Sequence, residues 1–185
     1  MYKLQSDDNE GVENLLNELK HGKDLMIEQV IVQHPQMSKM CSSSVNTIRV
    51  ATMIDRLGEP HVIYTVAKFG GGEGCVSNTL HGGIPCSIDI DTGVINSMGI
   101  SSTGCRILKH PDSNMVIPGF QIPNWNGVCE YAKSLALHYP SGRYIGWDIV
   151  ILEDGYDVIE GNIHPGEIDQ VCGGKGLWNE IKKYI

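Results

Sequence analysis

The sequence predicts an α+β domain in which a mainly antiparallel sheet is flanked by a few helices. Short apolar segments follow one another along the chain, and turn-rich links join them. Only two long segments show the apolar spacing of a helix. The 185 residues, 41% hydrophobic with 22 glycines, fit a domain of ordinary size with a core and many turns. Strands joined by hairpins, with few helices between them, are typical of the α+β class.

Two amphipathic helices are predicted, one over residues 9–21 and one over 125–138. Gly22 can end the first helix, and the tail 176–185 predicts a short last helix. In both long segments, apolar residues recur with the spacing of one helical face. These positions are Val12, Leu15, Leu16 and Leu19 in the first helix, and Val128, Tyr131, Ala132 and Leu135 in the second.

The strands are predicted from β-rich runs at 25–32, 44–54 and 61–69. The link DRLGEP between the last two is short and turn-rich, so these two strands are expected to form a hairpin. Residues 33–44, QHPQMSKMCSSS, are expected to form a loop. A further hairpin is predicted over 84–95, around the turn Asp-Thr-Gly.

A last hairpin is predicted over residues 146–162, GWDIVILEDGYDVIEGN, and its register depends on the turn. A two-residue Asp-Gly loop places Asp148 opposite Gly161. A three-residue loop, with Gly155 as its left-handed residue, pairs Leu152 with Tyr156 instead. We favour the three-residue loop. The residues that it turns toward a core are Trp147, Ile149, Ile151 and Ile159.

In that register Asp148 faces Glu160, and Asn162 lies one step along the same face. Two facing carboxylates repel by about 4 kcal/mol at about 4 Å and an effective dielectric constant near 20. A shared proton, a basic side chain or a cation must offset this repulsion. Two carboxylates and an amide oxygen suit Mg²⁺ or Mn²⁺ that also binds phosphate oxygens. The alternative is a hairpin with polar residues at a solvated edge.

Basic residues occupy two of the other predicted strands. Arg49 shares a strand face with Thr47 and Ala51, and Lys68 ends the strand at 61–69. Buried charges are costly unless they are paired. Both residues therefore either bind phosphate oxygens or form a structural salt bridge with one of the acids.

Charge and composition exclude several classes of protein. The net charge of −8 argues against a general nucleic-acid binder. No apolar run near 18 residues and no signal-peptide pattern is present, so we expect a cytoplasmic protein with reduced thiols. The six cysteines form no CxxC pair, which makes a zinc site improbable. The glycine-rich segment 70–83 matches neither a Walker motif nor a dinucleotide fingerprint.

Several motifs together resemble a known family. WDIVILEDGYDVIEGN resembles the metal-binding hairpin of the ATP-grasp superfamily, in which an Asp on one strand and Glu-x-Asn on the next bind magnesium. LMIEQVI resembles its hinge strand. QHP, SVNTIRV, HGGI with SIDIDTG, HP with GFQIP, and IGWDIVI with VIEGN occur in the order seen in the sugar-transfer-associated ATP-grasp family. The resemblance runs from residue 26 to residue 166.

The resemblance implies a site for ATP. Glu28, Gln29 and Ile31 fall at the hinge positions that hold adenine. Arg49 falls near the phosphates, and Lys68 falls where the family more often has an arginine. Both cations are expected to stabilise the charge that moves during the reaction.

The resemblance also implies the ligands of the metal. Asp148, Glu160 and Asn162 match the positions that hold Mg²⁺, or Mn²⁺ in its place. Asn78 matches a loop asparagine that faces substrate. For His34 two roles remain open, contact with the ribose of ATP or a structural role.

The resemblance further implies two parts of the chain, 1–32 as a remnant of the first ATP-grasp lobe with the hinge strand, and 33–185 as the C-terminal lobe. The lysines that clamp the phosphates from the first lobe are expected upstream of the sequence. The chain is therefore expected to be a truncated form, or a natural half completed by a homodimer or by a partner chain.

The implied activity is that of an ATP- and Mg-dependent ligase, in which a carboxylate is activated as an acylphosphate and joined to an amine or similar nucleophile. The family name links this activity to cell-surface polysaccharide synthesis. The expected partners are a nucleotide and a small-molecule acceptor, without nucleic acid and without a membrane span. The alternatives are a phosphotransferase on the same ATP site and a nucleotide-binding fragment without turnover.

Overall fold

The structure is a computed structural model that describes residues 8–22, 29–71 and 83–185. The chain divides into two compact units, Met1–Ile31 and Val32–Ile185. The assignment of residues 1–32 to a remnant of a first lobe remains a prediction.

The described residues of the first unit include the helix α1 (Asn9–Lys20), as predicted. Asp8 caps its first turn by accepting a hydrogen bond from the backbone N–H of Gly11 at 2.8 Å. Gly22 has a φ of +75° and ends the helix. The strand predicted over 25–32 is not found at residues 29–32, and residues 25–28 lie outside the described ranges.

The second unit is built on a five-stranded antiparallel sheet, as the predicted α+β class requires, with strand order β3-β2-β1-β6-β7. The strands β4 and β5 form a separate two-stranded sheet. In chain order, the elements are α2 (Pro35–Met40), β1 (Thr47–Ile54), β2 (Pro60–Phe69), β3 (Ile84–Ser87), β4 (Gly99–Ile100), β5 (Arg106–Ile107), α3 (Trp125–His138), β6 (Tyr144–Leu152), β7 (Gly155–Asn162), α4 (Ile168–Gly173) and α5 (Trp178–Ile181).

Most predicted elements are confirmed. The loop predicted over 33–44 is wrong in part, because the segment contains the helix α2. His34 caps this helix by accepting from the backbone N–H of Gln36 at 3.1 Å, and Pro35 stands at its first turn. The turn predicted within 84–95 is present, but only a single bridge, Ile88 to Ile95, follows β3.

The turn of the β6-β7 hairpin also corrects the prediction. Leu152 pairs with Gly155, so the loop holds only the two residues Glu153 and Asp154. The predicted pairing of Leu152 with Tyr156 is wrong. Gly155 has a positive φ of +146°, which a residue with a side chain rarely adopts.

A β-bulge farther along the hairpin restores the predicted facing of the acids. Ile149 pairs with Val158, and the next pair is Asp148 with Glu160, so Ile159 is the extra residue. Asp148 therefore faces Glu160 as predicted, although the cause is a bulge and not the turn. The predicted burial of Ile159 is wrong, because its side chain is 48% exposed.

The two faces of the sheet are covered by separate apolar clusters. The larger cluster contains Trp147, Ile149 and Ile151, as predicted, and packs against α3. The smaller cluster joins Ala51 of β1 to Leu177 of the tail. Because neighbouring residues of a strand face opposite ways, Arg49 lies on the same face as Ala51. Among the described residues, no helix combines the length and apolar character needed to cross a bilayer.

Candidate functional site

The strand register brings three charged residues of the predicted site together. β1 lies between β2 and β6, where Arg49 pairs with Asp148, and Thr47 pairs with Lys68. Thr47 and Arg49 are two residues apart on one strand, so their partners share that face. We call Arg49, Lys68, Asp148, Glu160 and Asn162 the charged cluster.

Asp148 is the centre of the charged cluster. Its Oδ1 accepts a short hydrogen bond from Arg49 Nε, and its Oδ2 accepts from Arg49 Nη2 at 2.7 Å and from Lys68 Nζ at 2.6 Å. Asp148 is 4% exposed and Arg49 is 8% exposed. Both oxygens of a buried carboxylate are therefore held by cations, as desolvated charges require.

These contacts determine the charge of the pair. Burial alone would raise the pKa of Asp148, but the hydrogen bond from Arg49 and the charge of Lys68 lower it below its usual value. Burial alone would lower the pKa of Arg49, but the hydrogen bond to Asp148 and the charge of Asp148 raise it above its usual value. Asp148 is thus an anion at neutral pH, and basic side chains offset the repulsion from Glu160.

The other two members of the charged cluster lie toward solvent. The side chain of Glu160 is 56% exposed, and its Oε1 lies 3.7 Å from Arg49 Nη2. Asn162 Nδ2 donates to the same Oε1 at 3.0 Å, which places both residues on one face as predicted. Within the described part of the chain, the amide oxygen of Asn162 accepts no hydrogen bond, and one oxygen of Glu160 is likewise open.

Three residues that the sequence analysis missed position Arg49. Arg49 Nη1 donates to the carbonyl oxygen of Pro165 at 2.9 Å, and the Tyr64 hydroxyl donates to the same oxygen at 3.1 Å. A Cβ at Gly146 would lie 2.5 Å from Pro165 Cβ and 2.9 Å from Arg49 Cδ. The only sequence signal for this contact is a glycine inside an apolar strand, which often marks close backbone approach.

The donor set fits a divalent metal ion of the Mg²⁺ type. Glu160 and Asn162 offer oxygen atoms that face solvent, and hard oxygen ligands with retained water are what Mg²⁺ prefers. In the described structure Oδ1 of Asp148 accepts one hydrogen bond, so its second lone pair can join them beside the two cations. Phosphate oxygens would accept hydrogen bonds from Arg49 and Lys68 if these side chains turned from Asp148.

The remaining predicted site residues are Glu28, Gln29, Ile31, His34 and Asn78. Gln29 is exposed and Ile31 is partly buried, both without regular secondary structure in the first unit. Glu28 and Asn78 lie outside the described residues. His34 serves as the cap of α2. The adenine and substrate roles of these residues remain predictions.

Another polar grouping lies at the start of the glycine-rich segment. Ligand atoms of Cys41, His110 and Asp112 lie within 4.8 Å of one another. His110 Nε2 is 2.6 Å from the carbonyl oxygen of Gly70, and its Nδ1 accepts from the Asp112 backbone N–H at 3.3 Å. Asn46 accepts from the N–H of Gly70 at 3.1 Å. One ring nitrogen of His110 therefore contacts Gly70, and the other contacts the backbone of Asp112.

Comparison with known proteins gives one match. The family described as sugar-transfer associated ATP-grasp matches residues 8–184, nearly the whole chain. A search of curated proteins found no match. A search of solved structures found none either.

Proposed function

The chain belongs to the sugar-transfer-associated ATP-grasp family, and on that premise we propose that the charged cluster binds the phosphates and Mg²⁺ of Mg-ATP. The proposed reaction is that of a carboxylate–amine ligase, linked to cell-surface polysaccharide synthesis in the cytoplasm. A nucleotide and a small-molecule acceptor are the proposed ligands.

The observation that supports it is the direct opposition of Asp148 to Glu160 across β6 and β7, with Arg49 opposite Asp148 on β1. One face of the sheet thus offers oxygen ligands beside two cations. A ligand that brings both a metal ion and phosphate oxygens satisfies every member of such a set.

Each member has a separate role in this proposal. Asp148, Glu160 and Asn162 hold the metal ion, which supplies neutralisation of phosphate charge. Arg49 and Lys68 turn from Asp148 to phosphate oxygens, and the planar guanidinium of Arg49 suits two of these oxygens at once. Charge stabilisation and positioning of this kind are the main contributions of a protein to phosphoryl transfer.

The proposed chemistry has two steps. An oxygen of the acceptor carboxylate attacks the terminal phosphorus of ATP, and ADP leaves with the electron pair of the broken P–O bond. The amine nitrogen then attacks the acyl carbon, inorganic phosphate leaves, and the amine loses a proton. Arg49 and Lys68 would stabilise the negative charge that passes between these oxygens.

Calorimetric titration of Mg-ATP into the chain tests the nucleotide site. We expect metal-dependent binding that weakens at least about tenfold, or about 1.4 kcal/mol, in Asp148→Asn and in Glu160→Gln. Asp154→Asn is the matched control, because it removes a carboxylate from the exposed turn of the same hairpin. If all three variants bind as tightly as the wild type, with folding verified by circular dichroism, the proposed metal site is wrong.

A further inference from the structure

A cleft with a volume of about 830 Å³ lies in the second unit, outside the charged cluster. It falls within the range of small-molecule sites, about 300–1,000 Å³. Residues of β2, the segment after β3, and the tail from Cys172 onward form its walls. None of the five members of the charged cluster is among its lining residues.

The floor of the cleft is apolar and well packed. Tyr64, Ile88 and Leu177 line it and are each no more than 3% exposed. Such a surface accepts the C–H groups of a ligand without leaving a buried polar atom unsatisfied.

Two cations line the same cleft from separate parts of the chain. Arg106 of β5 and Lys175, in the link after α4, are both exposed. In the described ranges 8–22, 29–71 and 83–185, neither side chain makes a hydrogen bond or an ion pair. The hydrogen bond from Lys183 and the charge of Lys175 lower the pKa of Glu180, which also lines the cleft. Arg106, by contrast, has no acidic partner in the described structure. A cation in a cleft without an acidic partner suits an anionic group in the ligand.

Hydrogen-bonding groups of the opposite kind also line the cleft. The carboxylate of Asp91 and the amide of Asn96 face no hydrogen-bond partner within the described structure. Asp89 and Glu180 line the cleft too, but Asp89 accepts from Thr92, and Glu180 pairs with Lys183. Carboxylate and amide oxygens accept hydrogen bonds from hydroxyl groups.

We propose that this cleft binds a polyhydroxylated carboxylic acid of the size of a sugar acid. A ligand that is only anionic would meet the carboxylate of Asp91, and a purely apolar ligand would cover Arg106 without a partner. A ligand with one carboxylate, several hydroxyls and a C–H face satisfies all three kinds of lining group. Binding requires no nucleotide.

Tyr64 connects the cleft to the charged cluster. Tyr64 is a lining residue of the cleft, and its hydroxyl donates to the carbonyl oxygen of Pro165 that also accepts from Arg49. The sugar acid is therefore placed as the acceptor of the proposed ligase. This role, unlike binding itself, rests on the proposed function.

The test is a calorimetric titration with glucuronate as the probe, and with glucose and acetate as separate controls. Wild type is compared with Arg106→Gln and Lys175→Gln, all without nucleotide. Lys109→Gln is the matched control, since Lys109 is exposed two residues beyond β5 but does not line the cleft. Melting temperatures verify that the variants are folded.

We expect saturable glucuronate binding that weakens about tenfold, or about 1.4 kcal/mol, in each cleft variant and is unchanged in Lys109→Gln. Glucose and acetate should each bind at least about tenfold more weakly than glucuronate. Absence of saturable glucuronate binding to the wild type overturns the proposal. Cleft variants that bind glucuronate as tightly as the wild type also overturn it. Acetate that binds as tightly as glucuronate reduces the cleft to an anion site and also overturns it. Because Mg-ATP is absent, each outcome is independent of the nucleotide site.

Discussion

Arg49 donates to both carboxylate oxygens of Asp148, its direct neighbour across the β1-β6 pair, with Nη2 2.7 Å from Oδ2. Lys68 donates to Oδ2 as well. A residue proposed to bind metal is thus neutralised by the residues proposed to bind phosphate. A metal ion without phosphate would lie beside the positive charges of Arg49 and Lys68, which is electrostatically unfavourable.

We therefore expect strong coupling between metal and nucleotide. Mn²⁺ alone should bind the wild type weakly, and ATP should raise its affinity at least about tenfold. In Lys68→Gln, one repelling cation is gone, so Mn²⁺ alone should bind several-fold more tightly while Mg-ATP binds more weakly. Electron paramagnetic resonance of free Mn²⁺ measures the affinity for Mn²⁺, and calorimetric titration measures the affinity for Mg-ATP. Equal Mn²⁺ affinity in wild type and Lys68→Gln, with Lys109→Gln as control, would contradict the coupling.

The two acidic residues should differ in their effect on stability. Asp148→Asn leaves Arg49 and Lys68 without their buried anion and should lower the free energy of unfolding by about 3 kcal/mol. Glu160 is mostly exposed, so Glu160→Gln should change it by less than about 1 kcal/mol. Urea unfolding followed by circular dichroism measures the difference. Lys68→Gln combined with Asp148→Asn should recover part of the loss, and a double variant less stable than Asp148→Asn would argue against this ion-pair account.

Acid should remove the contribution of Asp148. Its folded pKa lies below the unfolded value of about 3.9, so the folded state binds fewer protons, and stability rises with pH in this window. The stabilisation is fully present above the unfolded pKa and is lost as pH falls through the folded pKa. The stability gap between wild type and Asp148→Asn should be constant from pH 7 to about pH 5 and should narrow at lower pH. Urea titrations at several pH values measure this gap, and a gap that widens in acid would contradict the expected sign.

Gly146→Ala should disturb Arg49 through packing. The added Cβ would lie 2.5 Å from Pro165 Cβ and 2.9 Å from Arg49 Cδ, so one of them must move. We expect a loss of about 1–3 kcal/mol in the free energy of unfolding, and weaker Mg-ATP binding. Gly176→Ala is the control, because its Cβ would meet only Gln170 Oε1 at 3.5 Å. Equal stability of the two variants would show that the site tolerates the clash.

The sequence predicted the elements whose signal is local. Helix α3 spans the predicted residues 125–138, and β1 and β2 follow from β-rich runs around a turn-rich link. Helix α2 was missed, because six residues are too few to show a helical period. Its signals were a capping His34 and Pro35 at the first turn.

The prediction that Asp148 lies opposite Glu160 is correct, although the turn from which it was derived is wrong. The loop is one residue shorter than expected, and the bulge at Ile159 compensates for that residue. Alternation of side chains alone cannot locate a bulge, because its position depends on the neighbouring strand. The contact of Arg49 with Pro165 joins residues far apart in the chain, and spacing within one segment carries no information about it.

The bulge at Ile159 also affects the tendency of the sheet edge to aggregate. β7 is the outermost strand on its side of the described sheet, and its unpaired edge is a template for strand addition. A bulged, twisted edge with the charges of Asp157 and Glu160 is a poor partner for a second strand. The bulge that brings Glu160 opposite Asp148 therefore also protects the sheet from edge-to-edge aggregation.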